Sequence, residues 1–243
     1  MCIWFYCSNF QMVIKIVSSF PAPSLSRKST MSLITRKYPF FMFVVISIFG
    51  HSAFAEDTSF RRVELPYGIS LDVPSHWTIL SQDNRKNLRA AGQAMIDNAG
   101  IEGASGRKES LLAINATPNP TGAMIRVSVT SPPDYTQDDL AAISSVNLKE
   151  ISAEMLNMFR QLEASGGPKV IEMQPARIEK IRNNRILVMP YVRASINSPS
   201  SWQVTQYKIP TSDKLIEITL SYRKSDSVVW RPILEKVKRS VRF

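Results

Sequence analysis

Cysteine and histidine, the side chains most used to hold transition metals or to act as nucleophile and base, are scarce in this sequence. There are two of each in 243 residues. Both cysteines, Cys2 and Cys7, lie at the start of the chain, and His76 is the one histidine that follows residue 55. A zinc site needs three or four such ligands, and a hydrolytic triad needs a base beside its nucleophile. Beyond residue 55 we therefore expect no zinc site, no disulfide and no thiolate chemistry, and we interpret His76 as an ordinary satisfied or solvent-facing imidazole.

Apolar runs long enough to cross a membrane are also missing. A transmembrane helix needs about 20 apolar residues, whereas the run Pro39–Gly50 is shorter, follows the basic pair Arg36-Lys37 and precedes Ala53-Phe54-Ala55. A basic segment, a short apolar run and an Ala-x-Ala site are the three parts of a secretory signal peptide. The sequence thus predicts a signal peptide at residues 31–55, cleaved after Ala55, and a periplasmic or secreted protein.

Residues 1–30 precede the predicted signal peptide. Residues 1–30 fit no part of a signal peptide, and Met31 is the better start, so we interpret them as an over-called extension. Residues 56–243 have the length of a single domain. Five of the 30 basic residues precede Glu56 and all 20 acidic residues lie from Glu56 onwards, so the formal charge of the exported part is +5, not +10. A charge this small does not favour nucleic acid as a partner.

Motifs for nucleotides, metals and paired-carboxylate catalysis are absent. The glycines of 100–106 neither follow a strand nor lead into the Lys-Ser/Thr of a phosphate loop, and the carboxylates are too scattered to nominate a glycosidase pair. Asp138-Asp139 stand at a helix start, where carboxylates serve the helix dipole more readily than calcium. We therefore assign no catalytic, cofactor-binding or metal-binding residues and expect no cofactor.

The clearest pattern that is present lies between Ala176 and Arg223. In its last part, Leu215–Arg223, apolar residues alternate with polar ones, which indicates a strand with one buried face. We predict three consecutive antiparallel strands between Ala176 and Arg223. The first reversal is placed at Asn183-Asn184, because asparagine tolerates the positive φ that a two-residue hairpin requires.

Shorter patterns add further strands and helices. Strands are expected at Phe60–Leu65 and Tyr67–Pro74, reversing at Pro66–Gly68 and packed at their end by Trp77, and at Leu111–Thr117 and Ala123–Thr130, with a polar loop at 100–109. Helices are expected at 83–98 with Asp83 as N-cap and Ala94 inward, from Thr136 to about residue 165 with a break at Ser144-Ser145, and at 230–239 with Pro232 in the first turn. Because helices and strands do not alternate strictly, we predict an α+β fold, an antiparallel sheet of about six strands covered by helices.

Several motifs resemble a known family. They are Tyr67-Gly-Ile-Ser-Leu-Asp-Val-Pro-Ser-His-Trp77, where the family has a strand followed by Pro and Trp, and the later segments Tyr207–Pro210, Lys214–Tyr222 and Pro232–Ser240. They are similar to the PsbP-like superfamily, which includes the extrinsic photosystem II protein, the Ran-binding Mog protein and exported bacterial relatives of the DcrB type. The resemblance implies an α/β/α sandwich over nearly all of residues 56–243. It implies no particular function, because this scaffold has divergent roles, and no metal ligand set of the family has a match in this sequence.

The end of the chain is strongly basic. The C-terminal segment carries a cluster of four basic residues, Lys236, Lys238, Arg239 and Arg242. A solvated helix end favoured by the helix dipole explains such a cluster, and docking on an anionic surface is the alternative. On a helix, Lys236 and Arg239 would share one face, and Lys238 and Arg242 another.

These observations favour a non-enzymatic exported module that binds a protein partner in the cell envelope or assists an envelope assembly. Two alternatives stay open. One is a periplasmic enzyme that uses only Asp, Glu, Ser, Tyr or Lys, which would show as a deep cleft where such groups converge. The other is a protein that binds an anionic membrane surface weakly through the four C-terminal cations.

The processing prediction is directly measurable. Because Ala53-Phe54-Ala55 is the expected cleavage site, the exported protein should begin at Glu56. N-terminal sequencing or intact-mass measurement of the exported protein checks this, and a protein that still begins at Met1 or Met31 would contradict it.

Overall fold

The computed structural model describes residues 58–101, 106–195 and 198–243. The predicted signal peptide, its cleavage site after Ala55 and the extension 1–30 lie outside these ranges and stay predictions. Within them the chain has the α+β character that the sequence predicts, because antiparallel strands and helices follow one another without strict alternation. Every helix in these ranges is too short or too polar to serve as a membrane span.

Ten strands and four α-helices lie in the described residues. The strands are β1 (Phe60–Glu64), β2 (Ser70–Pro74), β3 (Thr78–Ile79), β4 (Arg107–Asn115), β5 (Ala123–Ser131), β6 (Val170–Met173), β7 (Arg177–Ile181), β8 (Asn184–Ala194), β9 (Ser201–Pro210) and β10 (Leu215–Arg223). The helices are α1 (Gln82–Asn98), α2 (Gln137–Ala142), α3 (Ser145–Ala164) and α4 (Ser227–Ser240).

Strands β1 and β2 form a separate antiparallel pair, and the other eight form one sheet. The order in that sheet is β3-β4-β5-β10-β9-β8, and both β6 and β7 pair with the remaining edge of β8. All of its pairs are antiparallel. The sheet has more strands than the six expected because β3 and β6 have two and four residues, too few to show a period-two pattern.

The meander between Ala176 and Arg223 consists of four strands, β7 to β10, and not three. Its first reversal lies one residue earlier than predicted: Ile181 pairs with Asn184, so the turn residues are Arg182 and Asn183. The positive φ falls on Arg182, at 55°. Apolar pairing between β7 and β8 sets the register, and the turn residues have to follow it.

The large sheet is covered on both faces. Apolar residues of the β1–β2 pair and of α4 pack on one face, whereas α1, α2 and α3 pack on the other. The expectation that Leu215–Arg223 has one buried face was therefore wrong, since its polar residues Glu217, Thr219 and Ser221 are buried as well. A period-two pattern identifies the strand but not what covers its polar side.

Trp77 closes the end of the β1–β2 pair, as expected after the strand-ending proline. Its buried ring lies edge-on to Trp230 of α4, with ring centroids 5.7 Å apart. A Cβ atom at Gly122 would come within 2.6 Å of the Trp230 ring. The tryptophan pair therefore ties the segment after β2 to α4 and requires glycine in the loop beside it.

Helix α1 begins earlier than predicted. Its N-cap is Ser81, whose hydroxyl accepts a hydrogen bond from the Asn84 N–H, and not Asp83. The Leu80 N–H donates to the carbonyl of Ala113 in β4, so extended backbone ends directly before Ser81. This start leaves Ala94 exposed, contrary to expectation, and buries Ile96. The loop expected at 100–109 is shorter, because β4 already begins at Arg107.

The break in the longest helical pattern is confirmed at Ser144. Thr136 caps α2 in a capping box with Asp139, and Ser144 caps α3 in a second box with Asn147. Each box satisfies backbone N–H groups that a helix start leaves without partners. Asp139 thus serves as a capping residue.

Helix α4 begins at Ser227, three residues before the predicted start at Trp230, so Pro232 lies inside the helix and not in its first turn. A proline there removes the bond to the carbonyl of Val228. Val228 is 87% exposed, so water can satisfy that carbonyl. After the helix, the N–H and carbonyl of Arg242 bond the backbone of Ser70 at 2.8 Å each, which attaches the C-terminus to β2.

Candidate functional site

A carboxylate lies buried at the centre of the large sheet. Glu217 of β10 is 2% exposed, and both of its oxygens accept hydrogen bonds from Lys108 Nζ at 3.3 Å. A second ammonium, that of Lys208, lies 3.9 Å from Glu217 Oε2 and is also 2% exposed. These three side chains are called the buried ion cluster.

Strand register explains why these charges meet. Glu217 pairs directly with Lys208 of β9 and with Ser128 of β5, and directly opposed residues in an antiparallel sheet point to the same face. Lys108 comes from β4, one strand further out, where it pairs with Thr130 of β5. Its long side chain spans the remaining distance. The face they share is the one that α1, α2 and α3 cover.

Burial shifts the proton equilibria of the neighbouring groups. Burial lowers the pKa of Lys208, and the nearby ammonium of Lys108 lowers it further against the opposing effect of Glu217. Burial also raises the pKa of Tyr135 well above its usual value, helped by the negative charges of Glu217 and Asp134. The phenol therefore stays protonated, and Lys208 loses its proton more readily than an exposed lysine does.

Further polar side chains surround the cluster on the same face. Gln206 and Thr219 are opposed residues of β9 and β10, and Ser128 is opposed to Glu217. Within the part of the chain that the structure describes, the side-chain nitrogen and oxygen of Gln206 and the hydroxyls of Thr219 and Ser128 have no hydrogen-bond partner. Each such buried group costs about 1 to 3 kcal/mol.

Lys108 connects the buried ion cluster to the surface. Its side chain is 14% exposed and lines a cleft of about 320 Å³ at the β4 edge of the sheet, beside the first half of α1. Ten residues line this cleft, and five of them are basic: Arg85, Lys86, Arg89, Arg107 and Lys108, together with Pro66, Gln82, Glu109, Ser110 and Leu111. It is called the basic cleft.

Backbone carbonyls position two of the five cations. Arg85 Nη1 donates to the carbonyl of Leu80 at 2.9 Å, and Arg89 Nη1 donates to that of Lys108 at 3.1 Å. Lys86 and Arg107 are exposed. The cleft thus combines cations that backbone carbonyls hold in place with cations that are exposed, an arrangement suited to recognising an anion.

The single carboxylate of the basic cleft is engaged by a tyrosine. Tyr67 OH donates to Glu109 Oε2 at 2.9 Å, and this hydrogen bond raises the pKa of Tyr67. The ammonium of Lys214 lies 4.5 Å from the Tyr67 ring centroid. Tyr67 therefore places an aromatic ring beside Glu109, and Lys214, which stacks on that ring, is itself paired with Asp213.

The structure separates the four C-terminal basic residues that the sequence grouped. Lys236, Arg239 and Arg242 are exposed, whereas Lys238 Nζ donates to Glu179 Oε2 of β7 at 2.6 Å. Arg242 lies beyond the end of α4, so the helical face assumed for Lys238 and Arg242 does not exist. The helix ends at Ser240 because the following backbone pairs with β2.

Lys238 has a structural role in an ion chain. Arg177 and Lys238 both pair with Glu179, at 2.8 and 2.6 Å. Burial acts to raise the pKa of Glu179, but the hydrogen bonds from Lys238 and Arg177 outweigh it and lower the pKa below its usual value. This chain of ion pairs links β7 to α4.

Two other residues that the sequence analysis considered, His76 and Asp138, do not line the basic cleft. His76 and Asp138 are exposed. Among the residues that the structure describes, no group of three or more His, Cys, Asp or Glu side chains is arranged to hold a metal ion. Sequence reasoning missed the buried ion cluster because the polar residues of Leu215–Arg223, Glu217 among them, were assigned to an exposed face. Opposite charges at opposed positions of neighbouring strands were the available signal.

Comparisons with known proteins bear on the architecture. No protein-family model and no curated protein matches the sequence. The solution structure of cyanobacterial PsbP (CyanoP) from Synechocystis sp. PCC 6803 is similar at 15% identity and a TM-score of 0.47, over 76% of this chain and 92% of that one. LpqN of Mycobacterium tuberculosis, which is involved in cell envelope biogenesis, is similar at 12% identity and a TM-score of 0.38, over 75% and 89%. A PsbP thus stands among the similar structures, as the sequence motifs suggest, but similarities of this size carry no argument about function.

Replacing Glu217 by Gln tests the buried ion cluster. The change leaves Lys208 buried without its counter-charge and should lower the free energy of unfolding by about 3 to 5 kcal/mol at neutral pH, measured by urea denaturation. The folded-state pKa of Lys208 lies below the usual 10.5. At pH values between the two, the unfolded state binds more protons than the folded state, so the free energy of unfolding increases as the pH rises. Glu217 raises the pKa of Lys208, so this pKa is lower still in Glu217→Gln and the variant gains more stability than the parent as the pH rises. The deficit of Glu217→Gln should therefore shrink as the pH approaches 10.5.

A matched control is Glu172→Gln. Glu172 forms an exposed pair with Lys224 at 3.8 Å, and such pairs contribute about 1 kcal/mol or less. Equal losses in Glu217→Gln and Glu172→Gln would show that the central carboxylate is not an important stabilising charge.

Proposed function

We propose that the protein is an exported, non-enzymatic binding module of the cell envelope, which recognises an acidic segment of a partner protein through the basic cleft. The observation that supports this most is the convergence of five cations on one concave surface of about 320 Å³. The one carboxylate there, Glu109, is already engaged by Tyr67. Lys108 is paired with Glu217, so four further cations face one carboxylate, and the lining has an excess of positive charge.

The positive charge of the basic cleft attracts an acidic partner before the two proteins touch. Clefts lined by one sign of charge concentrate the field and raise the association rate of oppositely charged partners. Guanidinium groups can also bind carboxylates through two parallel hydrogen bonds, and the cleft provides three of them in Arg85, Arg89 and Arg107. Recognition of carboxylates on an acidic segment uses both effects.

An enzyme that works through Asp, Glu, Ser, Tyr or Lys is supported less well. Glu217 and Lys208 of the buried ion cluster are such groups, and Glu217 is near enough to Tyr135 to raise its pKa. Glu217 and Lys208 are only 2% exposed, however, and Tyr135 is buried too. A general acid or base has to come within hydrogen-bond distance of its substrate, so the accessible basic cleft favours binding over catalysis.

The cleft is tested by removing its two exposed cations. The exported protein should bind a hexaglutamate peptide in low salt, and the double variant Lys86→Gln/Arg107→Gln should bind it roughly tenfold more weakly, since two exposed ion pairs of about 0.7 kcal/mol each are lost. Isothermal titration calorimetry measures both. Binding should weaken as salt rises, because exposed charges are screened beyond about 8 Å at physiological ionic strength.

Helix α3 offers a control matched in charge. Lys149→Gln/Arg160→Gln also removes one exposed lysine and one exposed arginine, and this variant should bind the peptide like the parent. If the parent does not bind hexaglutamate, or if both double variants are weakened equally, the basic cleft is not the recognition site.

A second candidate function is docking on an anionic membrane surface through the C-terminal segment. The exposure of Lys236, Arg239 and Arg242 favours it, although the ammonium of Lys236 also lies 4.0 Å from the Phe60 ring centroid. Lys238 is unsuited to this role because it pairs with Glu179. The docking surface would therefore consist of three cations and not four.

The triple variant Lys236→Gln/Arg239→Gln/Arg242→Gln tests this surface. If docking occurs, the parent should float with vesicles rich in anionic lipid at low salt and less so at high salt, and the triple variant should not float. Its thermal midpoint should stay close to that of the parent, since exposed charges contribute little to stability and the bonds of Arg242 to Ser70 are made by the backbone. A parent that shows no salt-dependent flotation would exclude this function.

A further inference from the structure

A second concave surface lies on the opposite face of the large sheet from the buried ion cluster. It is a groove of about 240 Å³ between α4 and strands β8, β9 and β10, and it is called the α4 groove. Polar side chains predominate in its lining, which consists of Gln174, Arg177, Pro190, Gln203, Thr205, Tyr207, Leu220, Tyr222, Arg231, Leu234 and Glu235. It shares no lining residue with the basic cleft.

Two opposite charges of α4 line this groove without being paired. Arg231 and Glu235 are four residues apart and therefore share a helix face. Among the described residues, neither side chain forms an ion pair with the other or with a third group. The adjacent charges do pair, because Glu179 engages Arg177 and Lys238. Arg231 and Glu235 are thus available to a ligand.

The floor of the groove provides hydrogen-bonding groups near these charges. Burial raises the pKa of the Tyr222 phenol, and both helix charges act on it, Arg231 lowering the pKa and Glu235 raising it. The phenol therefore stays protonated and lies within the field of both groups. Gln203 donates from its side-chain amide to the carbonyl of Tyr191 at 3.3 Å, which keeps the amide oxygen as an acceptor.

Size and charge together define the ligand class. The groove, at about 240 Å³, has room for a small molecule. A simple anion would meet the carboxylate of Glu235, and a simple cation would meet the guanidinium of Arg231. A zwitterion satisfies both charges at once, and arginine binds a carboxylate through two parallel hydrogen bonds.

We propose that the α4 groove binds a free α-amino acid, with the carboxylate of the ligand on Arg231 and its ammonium group on Glu235. Tyr222 and Gln203 face the remainder of the ligand and favour a small or polar side chain. This site is independent of the basic cleft, and neither requires the other.

Calorimetric titration of the exported protein with each common L-α-amino acid tests the proposal. At least one small or polar amino acid should bind saturably. Its N-acetyl derivative lacks the ammonium group and its amide lacks the carboxylate, so each should bind about tenfold to a hundredfold more weakly, the range expected for losing a charge-assisted hydrogen bond. Loss of affinity on capping either end is the signature of zwitterion recognition.

Variants then assign each end of the ligand. Arg231→Gln should weaken binding of the free amino acid about tenfold or more but hardly change binding of its amide, which has no carboxylate to lose. Glu235→Gln should likewise weaken binding of the free amino acid but hardly change binding of its N-acetyl derivative, which has no ammonium group to lose. Arg239→Gln on the same helix and Glu154→Gln on α3 remove exposed charges elsewhere and should bind like the parent. Thermal midpoints near that of the parent show that each variant is folded.

The proposal is overturned if no amino acid binds saturably to the parent, or if the capped forms bind as tightly as the free ones. Binding that is equal in Arg231→Gln, Glu235→Gln and the two control variants would also overturn it. A saccharide that binds in the groove where amino acids do not would show that the ligand class is wrong.

Discussion

The ion pair between Glu217 and the two lysines, Lys108 and Lys208, constrains the rest of the structure. A carboxylate this deeply buried is costly to desolvate, and only close partners offset that cost. Lys208 comes from the neighbouring strand β9, whereas Lys108 comes from β4, on the other side of β10 and beyond β5. The order of the sheet and the register of four strands are therefore tied to one charged group.

This constraint also relates the interior of the protein to its surface. Lys108 has its ammonium group on Glu217 and its backbone carbonyl on Arg89, so it is fixed at both ends. The basic cleft consequently has one wall held by the core of the sheet, while Lys86 and Arg107 on the rim are exposed. A binding surface with a rigid base and an adaptable rim loses less conformational entropy on binding than a fully mobile one.

Sequence reasoning reached the fold class and most elements, because hydrophobic period and capping residues are local signals. The break at Ser144 is an example: the helical spacing slips there, and a serine follows that can cap a new helix. The turn at Arg182 was misplaced by one residue because cross-strand packing, which no local pattern shows, decides the register. The ion pair of Lys238 was missed because it too depends on a distant contact: its partner Glu179 lies on a strand 59 residues earlier in the chain.

The candidate sites were harder to predict for a related reason. Each of the basic cleft and the α4 groove is assembled from at least two separate parts of the chain, and the residues of one part alone look like an ordinary solvated face. Arg231 and Glu235 have the spacing of a stabilising helix pair, and sequence alone would assign them that role. The folded chain gives them a different setting, because α4 packs against β10 with these two side chains over a polar part of the sheet. Exposed pairs of that kind contribute only a few tenths of a kcal/mol to a helix, so leaving them unpaired costs the fold little and makes both charges available for recognition.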